Sequence, residues 1–127
     1  MATDENKITL PRTNADVSIR LTAAAGTLPD VPFVIFLYPP GSNKGTKIGP
    51  PGGHCSLETQ YSLGKAANAL VDSATMCAGG VLFPQADTVT LQCEFFVNGK
   101  KLKNSATTQI KGNAGDAPPF HLTCRFV

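Results

Sequence analysis

The stretch from Val89 to Val97 is the feature of this sequence that most limits its fold. Apolar residues occupy every second position there, and a period of two places them on one face of a β-strand. Asn98-Gly99 follows directly, and this dipeptide supplies the positive φ angles of a tight hairpin turn. We therefore predict a strand, a two-residue turn and a polar second strand from Lys100 to Ile110.

The last eight residues show the same alternation and predict a strand that faces the core. Its apolar positions are Phe120, Leu122, Cys124 and Phe126. His121 and Thr123 lie between them and should point away from the core. The chain is thus expected to end in an antiparallel β-meander.

Other short apolar or alternating runs, separated by Gly and Pro, predict further strands. They are Ile8–Pro11, Asp16–Ala24, Phe33–Tyr38, Cys55–Leu63 and Val81–Phe83. Phe33–Tyr38 is apolar throughout, which is typical of a strand covered on both faces. The Ala-rich segment Lys65–Ala78 leaves helix, strand and loop open. About eight short strands predict an all-β fold, an antiparallel β-sandwich, as a single domain over residues 1–127 with residues 1–6 as a disordered tail.

Composition and charge give no indication of nucleic-acid binding, a membrane span or a signal peptide. The net charge of +2 is too small to indicate nucleic acid. The longest apolar run, Val31–Tyr38, is far shorter than the ~20 residues of a membrane span. The polar start MATDENK is not a signal peptide, so we expect a cytoplasmic protein or export by a route without one.

The residues that carry chemistry form no catalytic or cofactor motif, so we expect neither an enzyme nor a cofactor. His54 and Cys55 are neighbours and should face opposite ways, although a Ser-His-Asp arrangement stays open. Lys44 and Lys47 lie in the Gly/Pro-rich loop 39–53, which lacks the spacing of a phosphate-binding motif. The scattered carboxylates have no calcium-loop spacing, so no metal site is predicted. The hairpin lysines, which we assign to solubility and edge protection, are Lys100, Lys101 and Lys103.

The four cysteines form no C-x-x-C pair, which argues against a zinc ribbon. They are Cys55, Cys77, Cys93 and Cys124. In the absence of a secretory signal we expect free, buried thiols. A disulfide between Cys93 and Cys124 stays open as the alternative, because both residues lie on apolar faces.

Three segments resemble a family of small bacterial lectins that bind fucose and mannose through calcium, found in Pseudomonas aeruginosa and Burkholderia. They are Val97-Asn98-Gly99-Lys100, Gly112–Asp116 and Pro119-Phe120, which match the family's V-N-G-[KR] turn, Gly/Asp turn and Pro-Phe pair. Ile8-Thr9-Leu10-Pro11 is similar to the family's opening strand, with its Asn-Thr pair reversed as Thr13-Asn14. The resemblance covers both ends of the chain and implies a β-sandwich that pairs with a copy of itself.

The family's calcium site is the main departure. Its acidic loop should begin where this sequence stops at Val127, and Ala23 or a neighbouring alanine stands where the family has an asparagine ligand. No calcium ligand can therefore be carried over to this chain. The resemblance then implies a lectin-like module whose sugar recognition does not use that metal.

We accordingly expect a lectin-like, calcium-independent carbohydrate-binding protein that forms a homodimer. Its sugar would need a polar pocket with an aromatic platform, for which Tyr38, Tyr61 and the phenylalanines are available, but the sequence assigns no ligand-binding residue. The alternative is a structural or assembly module that acts through subunit contacts. Phe96 supports this alternative, because it falls on the otherwise polar face of its strand and indicates a partner surface.

Overall fold

The computed structural model describes residues 6–26 and 29–127. Strands account for 54% of these residues and helix for 3%, which makes the fold all-β. The elements of these two ranges are β1 (Asn6–Ile8), β2 (Asp16–Ala24), β3 (Phe33–Tyr38), β4 (Thr46–Ile48), β5 (Tyr61–Ala66), α1 (Ala67–Leu70), β6 (Ala74–Gly80), β7 (Asp87–Val97), β8 (Lys100–Lys101), β9 (Ala106–Gly112) and β10 (Pro119–Phe126). No helix in the described ranges has the length and apolar character needed to cross a membrane.

The strands form two sheets that enclose one apolar core. Sheet 1 has the order β1-β10-β6-β3-β4, with β1 parallel to β10 and its other pairs antiparallel. Sheet 2 has the order β5-β2-β7-β8, and β9 also pairs with β7. β2, β3 and β10 each bury every second side chain between the sheets. The predicted β-sandwich is therefore the observed architecture.

The hairpin after β7 is where the sequence predicts it. Asn98 and Gly99 have φ angles of 53° and 78°, as a tight turn with two left-handed residues requires. The second strand, however, is broken. Lys101 lies opposite Phe96 and Ala106 lies opposite Cys93, so the four residues between them face only two on β7. The excess residues loop out and divide the predicted strand into β8 and β9.

The predicted C-terminal meander is wrong, because β10 leaves the sheet that contains β7 and β9. It runs between β1 and β6 in sheet 1. The connection carries Gly115 with a φ of 87° and ends in Pro118-Pro119, and Pro118 cannot donate a backbone hydrogen bond to extend a ladder. The faces of β10 are nevertheless as predicted, since Leu122 is buried and His121 is exposed.

Three other predicted strands need correction. The first strand ends at Ile8 instead of running to Pro11, because it pairs beside β10 and the chain then turns away. Asn6 belongs to that strand and not to the predicted tail, whose residues 1–5 lie outside the described ranges. The segment 55–60 is irregular, with Glu58 at a φ of 63°, so the fifth strand begins only at Tyr61.

The segment Val81–Phe83 is not a strand, because its backbone bonds go to two separate segments. Val81 and Phe83 donate to the carbonyls of Pro118 and Asp116, while Leu82 donates to Asp30. The segment Lys65–Ala78, for which the sequence leaves helix, strand and loop open, contains a helical turn, α1, and most of β6. β6 is a central strand of sheet 1.

Of the two faces of β3, which are both predicted to be covered, the described residues bury only one completely. Phe33, Ile35 and Leu37 are buried in the core. The alternate side chains, Val34, Phe36 and Tyr38, are half-exposed on the outside of sheet 1. The outer face of β3 is thus an apolar surface that the described residues cover only in part.

Candidate functional site

A polar cleft lies at the end of the β7–β9 ladder. Asp87 pairs with Gly112 and Thr88 pairs with Lys111 in the strand register, and the chain turns away beyond this point on both sides. The resulting cavity has a volume of about 560 Å³. Its lining consists of Ala86, Asp87, Thr88, Lys111, Gly112, Asn113 and Asp116. A volume of roughly 300–1,000 Å³ is usual for a small-molecule site.

The loop that forms one wall of the cleft is held by its own hydrogen bonds. The backbone N–H of Asn113 donates to Oδ2 of Asp116 at 2.8 Å, and the N–H of Asp116 donates to the carbonyl of Asn113 at 3.0 Å. Phe83 fastens this loop to the rest of the sandwich, because its N–H donates to Asp116 and its carbonyl accepts from Gly115. The cleft thus has a turn of defined geometry as one wall.

Close packing of Phe83 on Gly112 places segment 81–84 against the end of β9. A Cβ atom built on Gly112 would lie 2.2 Å from the Phe83 ring, so only glycine admits the ring in this position. Phe83 itself is buried. The segment Gly112–Asp116, which resembles the lectin turn, therefore forms a wall of the cleft. The sequence pattern did not indicate this segment as a binding site.

The cleft combines several kinds of polar group at one place. Asp87 and Asp116 supply carboxylates, Thr88 a hydroxyl, Asn113 an amide and Lys111 an ammonium group. Oδ1 of Asp87 accepts the backbone N–H of Thr88 at 2.7 Å, which fixes the direction of that carboxylate. Such a set can both donate to and accept from a ligand rich in hydroxyl groups.

A more apolar surface adjoins the cleft at Asp116. A second cavity of about 330 Å³ shares this residue and is also lined by Asp30, Leu82, Phe83, Pro84 and Gly115. Leu82 is 42% exposed, which is unusual for a large aliphatic side chain in the described part of this chain. A ligand that spans the two cavities would meet polar groups at one end and a mainly apolar surface at the other.

Of the aromatic residues predicted to be available for a sugar platform, the two tyrosines lie elsewhere. Tyr38 contacts Phe36 on the outer side of sheet 1, with ring centroids 6.4 Å apart. The hydroxyl of Tyr61 accepts the backbone N–H of Ser56 at 2.7 Å. Neither tyrosine lines the polar cleft, and the aromatic side chain that lines the adjoining cavity is Phe83, beside Leu82 and Pro84.

Phe96 does not form the partner surface that its position in the sequence indicates. It is only 7% exposed, because the guanidinium of Arg20 lies over its ring at 4.8 Å from the centroid. Arg20 also bonds Oε1 of Glu94 at 2.7 Å, and Lys101 bonds Oε2 at 3.1 Å. Sequence alternation placed Phe96 on the correct face, but the cross-strand charged residues that cover it became visible only in the structure.

The ion pairs around Glu94 lower its pKa by more than burial raises it. Burial by itself would raise the pKa of Glu94, but the hydrogen bonds and charges of Arg20 and Lys101 lower it. Glu94 is only 4% exposed and has both of its carboxylate oxygens bonded. Lys101 of the predicted solubility hairpin therefore has a structural partner.

Asp30, His54 and Ser56 line one cavity of about 430 Å³. These are the residue types of a hydrolytic triad, and the sequence left such an arrangement open. Among the hydrogen bonds of the described residues, none joins His54 to Ser56 or to Asp30. His54 is exposed while Cys55 is buried, so the two neighbours face opposite ways as predicted.

The other predicted residues lie away from the cleft. Lys44 is exposed, and Lys47 donates from Nζ to the carbonyl of Gly53 at 2.9 Å within the same loop. All four cysteines are buried free thiols. No group of three or more His, Cys, Asp or Glu side chains in residues 6–26 and 29–127 is arranged to hold a metal ion.

Comparison of the chain with protein-family models, with curated proteins and with solved structures found no match. The class defined by the fold is an all-β sandwich with an open polar cleft at one end.

Proposed function

We propose that this protein is a lectin-like carbohydrate-binding module that recognises its sugar without calcium. The observation that carries the proposal is the cleft of about 560 Å³ in which hydroxyl, amide, carboxylate and ammonium groups converge. A sugar presents hydroxyl groups that both donate and accept, and a mixed polar lining can satisfy both roles. The resemblance of Gly112–Asp116 to a lectin turn agrees with this site, because that turn is one wall of the cleft.

The two neighbouring cavities suit the two kinds of surface on a sugar. The carboxylates of Asp87 and Asp116 each have two oxygen atoms, and an ionised carboxylate accepts hydrogen bonds from hydroxyl groups. Leu82 and Pro84 offer an aliphatic surface to the C–H groups of a ring or of a neighbouring residue in a glycan. Recognition would therefore use direct side-chain bonds where the resembling family uses bound calcium.

Binding is favoured over catalysis because the residues for proton transfer are not connected. In the cavity with His54 and Ser56, no base is bonded to the hydroxyl that it would activate, and a positioned base is what general-base catalysis needs. We propose that the chain has no enzymatic activity and needs no cofactor. The lysines of loop 39–53 and of the hairpin lack the interleaved aromatic residues of a nucleic-acid surface.

A glycan array, read once with calcium and once with EDTA, tests the proposal. We expect retained glycans to be the same in both conditions. The Lys111→Ala variant should lose at least about ten-fold in affinity for those glycans, which is the effect of one lost charged hydrogen bond, and Asn113→Ala about two- to ten-fold, which is the effect of a neutral one. Lys100→Ala is the matched control, because this exposed lysine of sheet 2 lies outside the cleft.

Two results would contradict the sugar proposal. One is an array without any retained glycan at micromolar protein, and the other is a glycan whose retention is unchanged in both cleft variants. Retention that disappears in EDTA would leave a lectin but contradict its calcium independence.

The second candidate function is assembly, and the outer face of sheet 1 favours it. This outer face consists of Val34, Phe36 and Tyr38 on β3 with Met76 and Ala78 on β6, which lie side by side in register. All five are half-exposed. An apolar strand of this kind is typical of a sheet covered on both sides, so we propose that a second copy of the chain covers the outer face and makes a homodimer.

Light scattering at micromolar concentration measures the oligomer directly. We expect a dimer mass, since a stable homodimer buries on the order of 1,200 Å² or more and this face is the apolar surface offered for it. Phe36→Glu should give the monomer mass without loss of the β-sheet circular dichroism signal. Thr107→Glu, on an exposed position of the other sheet, is the control and should remain dimeric. A monomer mass for the unchanged protein would contradict the dimer proposal.

A further inference from the structure

Three buried thiols meet between the two sheets. Cys77 lies on β6 and Cys124 on β10, which are neighbouring strands of sheet 1. Cys93 projects from β7 of sheet 2 and faces them across the core. Its Sγ lies 3.9 Å from Sγ of Cys77, so the two sulfur atoms are in contact.

The three side chains are fully enclosed and are not used by the proposed sugar site. Each is 0% exposed. Hydrogen bonding with the thiols of Cys124 and Cys77, together with burial, raises the pKa of Cys93 well above its ordinary value, so this group is a thiol and not a thiolate in the folded protein. A buried thiol acts as a small apolar group unless oxidation converts it.

We propose that Cys77 and Cys93 are a latent disulfide that joins the two sheets when the chain folds in the presence of a disulfide oxidant. The two sulfurs need to approach from 3.9 Å to the ~2.05 Å of an S–S bond. Sandwiches of the antibody type hold a disulfide between their sheets, so this architecture can accommodate the bond.

The reaction balances with glutathione disulfide as the oxidant. The thiolate of one cysteine attacks a sulfur of the oxidant, forms a mixed disulfide and releases the first glutathione. The second cysteine then attacks the protein sulfur of the mixed disulfide and releases the second glutathione. One S–S bond breaks and one forms, two electrons pass to the oxidant, and the two protons from the cysteines leave with the two reduced glutathiones.

Complete burial determines when this exchange can occur. Neither sulfur is accessible to glutathione in the folded sandwich, so the bond forms while the chain folds or opens and the thiols are exposed. Once formed, it closes a loop from residue 77 to residue 93 and ties β6 to β7. The environment in which the chain folds would thus set whether the two sheets are cross-linked.

The test refolds the denatured protein in two buffers, one with reduced and oxidised glutathione and one with dithiothreitol. In the first buffer we expect one disulfide, seen as the loss of two hydrogens from the intact mass, and a melting temperature higher by about 5 °C or more. Circular dichroism of the reduced sample first establishes that the chain refolds.

Peptide mapping identifies the pair, because no Lys or Arg lies between Lys65 and Lys100. Trypsin therefore keeps Cys77 and Cys93 on one peptide, residues 66–100, which should carry the disulfide internally. Cleavage before Asp87 should then leave two fragments joined by that bond. A cross-link from peptide 66–100 to peptide 112–125, which holds Cys124, would overturn the assignment.

Alanine variants supply the control. Cys124→Ala should still form the disulfide, and Cys93→Ala should not. Four free thiols after refolding of the unchanged protein in the glutathione buffer would also overturn the proposal.

Discussion

Replacing Gly79 with alanine should destabilise the sandwich strongly, although only one methyl group is added. Gly79 lies on β6, a central strand of sheet 1, between Phe33 on β3 and Phe120 on β10. An added Cβ would lie 2.1 Å from the carbonyl oxygen of Pro32 and 2.8 Å from Cα of Phe33. These are backbone atoms, so no side-chain rotation can relieve the contact.

The expected cost follows from what must move. The Pro32 carbonyl accepts the N–H of Gly80 at 3.2 Å, and displacing it breaks this bond. Overpacking typically costs about 1–3 kcal/mol and a lost hydrogen bond about 1 kcal/mol, which together give roughly 2–4 kcal/mol. A domain of this size has about 5–15 kcal/mol of stability in total, so the melting temperature should fall by about 10 °C.

Gly80→Ala is the matched control, one residue further along the same strand. Its added Cβ would lie 3.6 Å from the carbonyl of Pro118, which is an ordinary contact, and we expect a change within about 1 kcal/mol. Both variants can be compared by thermal and urea unfolding. A Gly79→Ala variant that melts within about 2 °C of the unchanged protein would refute the close approach of segment 32–33 to β6.

Three further outcomes test the core, the charged network and the thiols. Leu122→Ala should cost about 2–5 kcal/mol in urea unfolding while Thr123→Ala changes stability by about 0.5 kcal/mol, and the reverse order would contradict the register of β10. The pKa of Glu94 is lower in the folded than in the unfolded chain, so its charge stabilises the fold above the unfolded pKa and this stabilisation is lost as the pH falls through the folded value. Glu94→Gln should therefore flatten the fall in melting temperature below pH 4.5, and equal slopes for variant and parent would contradict the network. A thiol reagent should label the folded protein slowly, with Cys55 first because it is 4% exposed, and rapid labelling of all four thiols would contradict their burial.

Individual strands and their faces could be predicted from the sequence. Asp16–Ala24 and Phe33–Tyr38 have the predicted bounds, and alternation placed Val89, Leu91 and Cys93 in the core. The Asn98-Gly99 turn was likewise predictable, because its dihedral angles depend on two residues. These features are set by the period of the pleated backbone and by local turn chemistry.

The candidate cleft could not be predicted, because its walls come from segments that are far apart along the chain. Thr88 and Lys111 become neighbours through the β7–β9 register, and Asp116 reaches the site only because the loop is fastened to Phe83. None of these residues belongs to a spaced motif. The segment Gly112–Asp116 resembles the lectin turn in sequence, but only the tertiary structure shows that it lies beside Asp87.

The sequence by itself thus determined the positions of most long strands, which side of an alternating strand is apolar and that the fold is all-β. The tertiary structure alone decided that β10 joins sheet 1, that Arg20 covers Phe96 and that Cys93 meets Cys77. Alternation in the sequence indicates that one face of a strand is buried, because the pleat is a local property of the backbone. Alternation does not indicate which strand lies next to it. Partner choice depends on the loops and on packing between residues distant in the chain, and the cleft and the thiol cluster both arise from that choice.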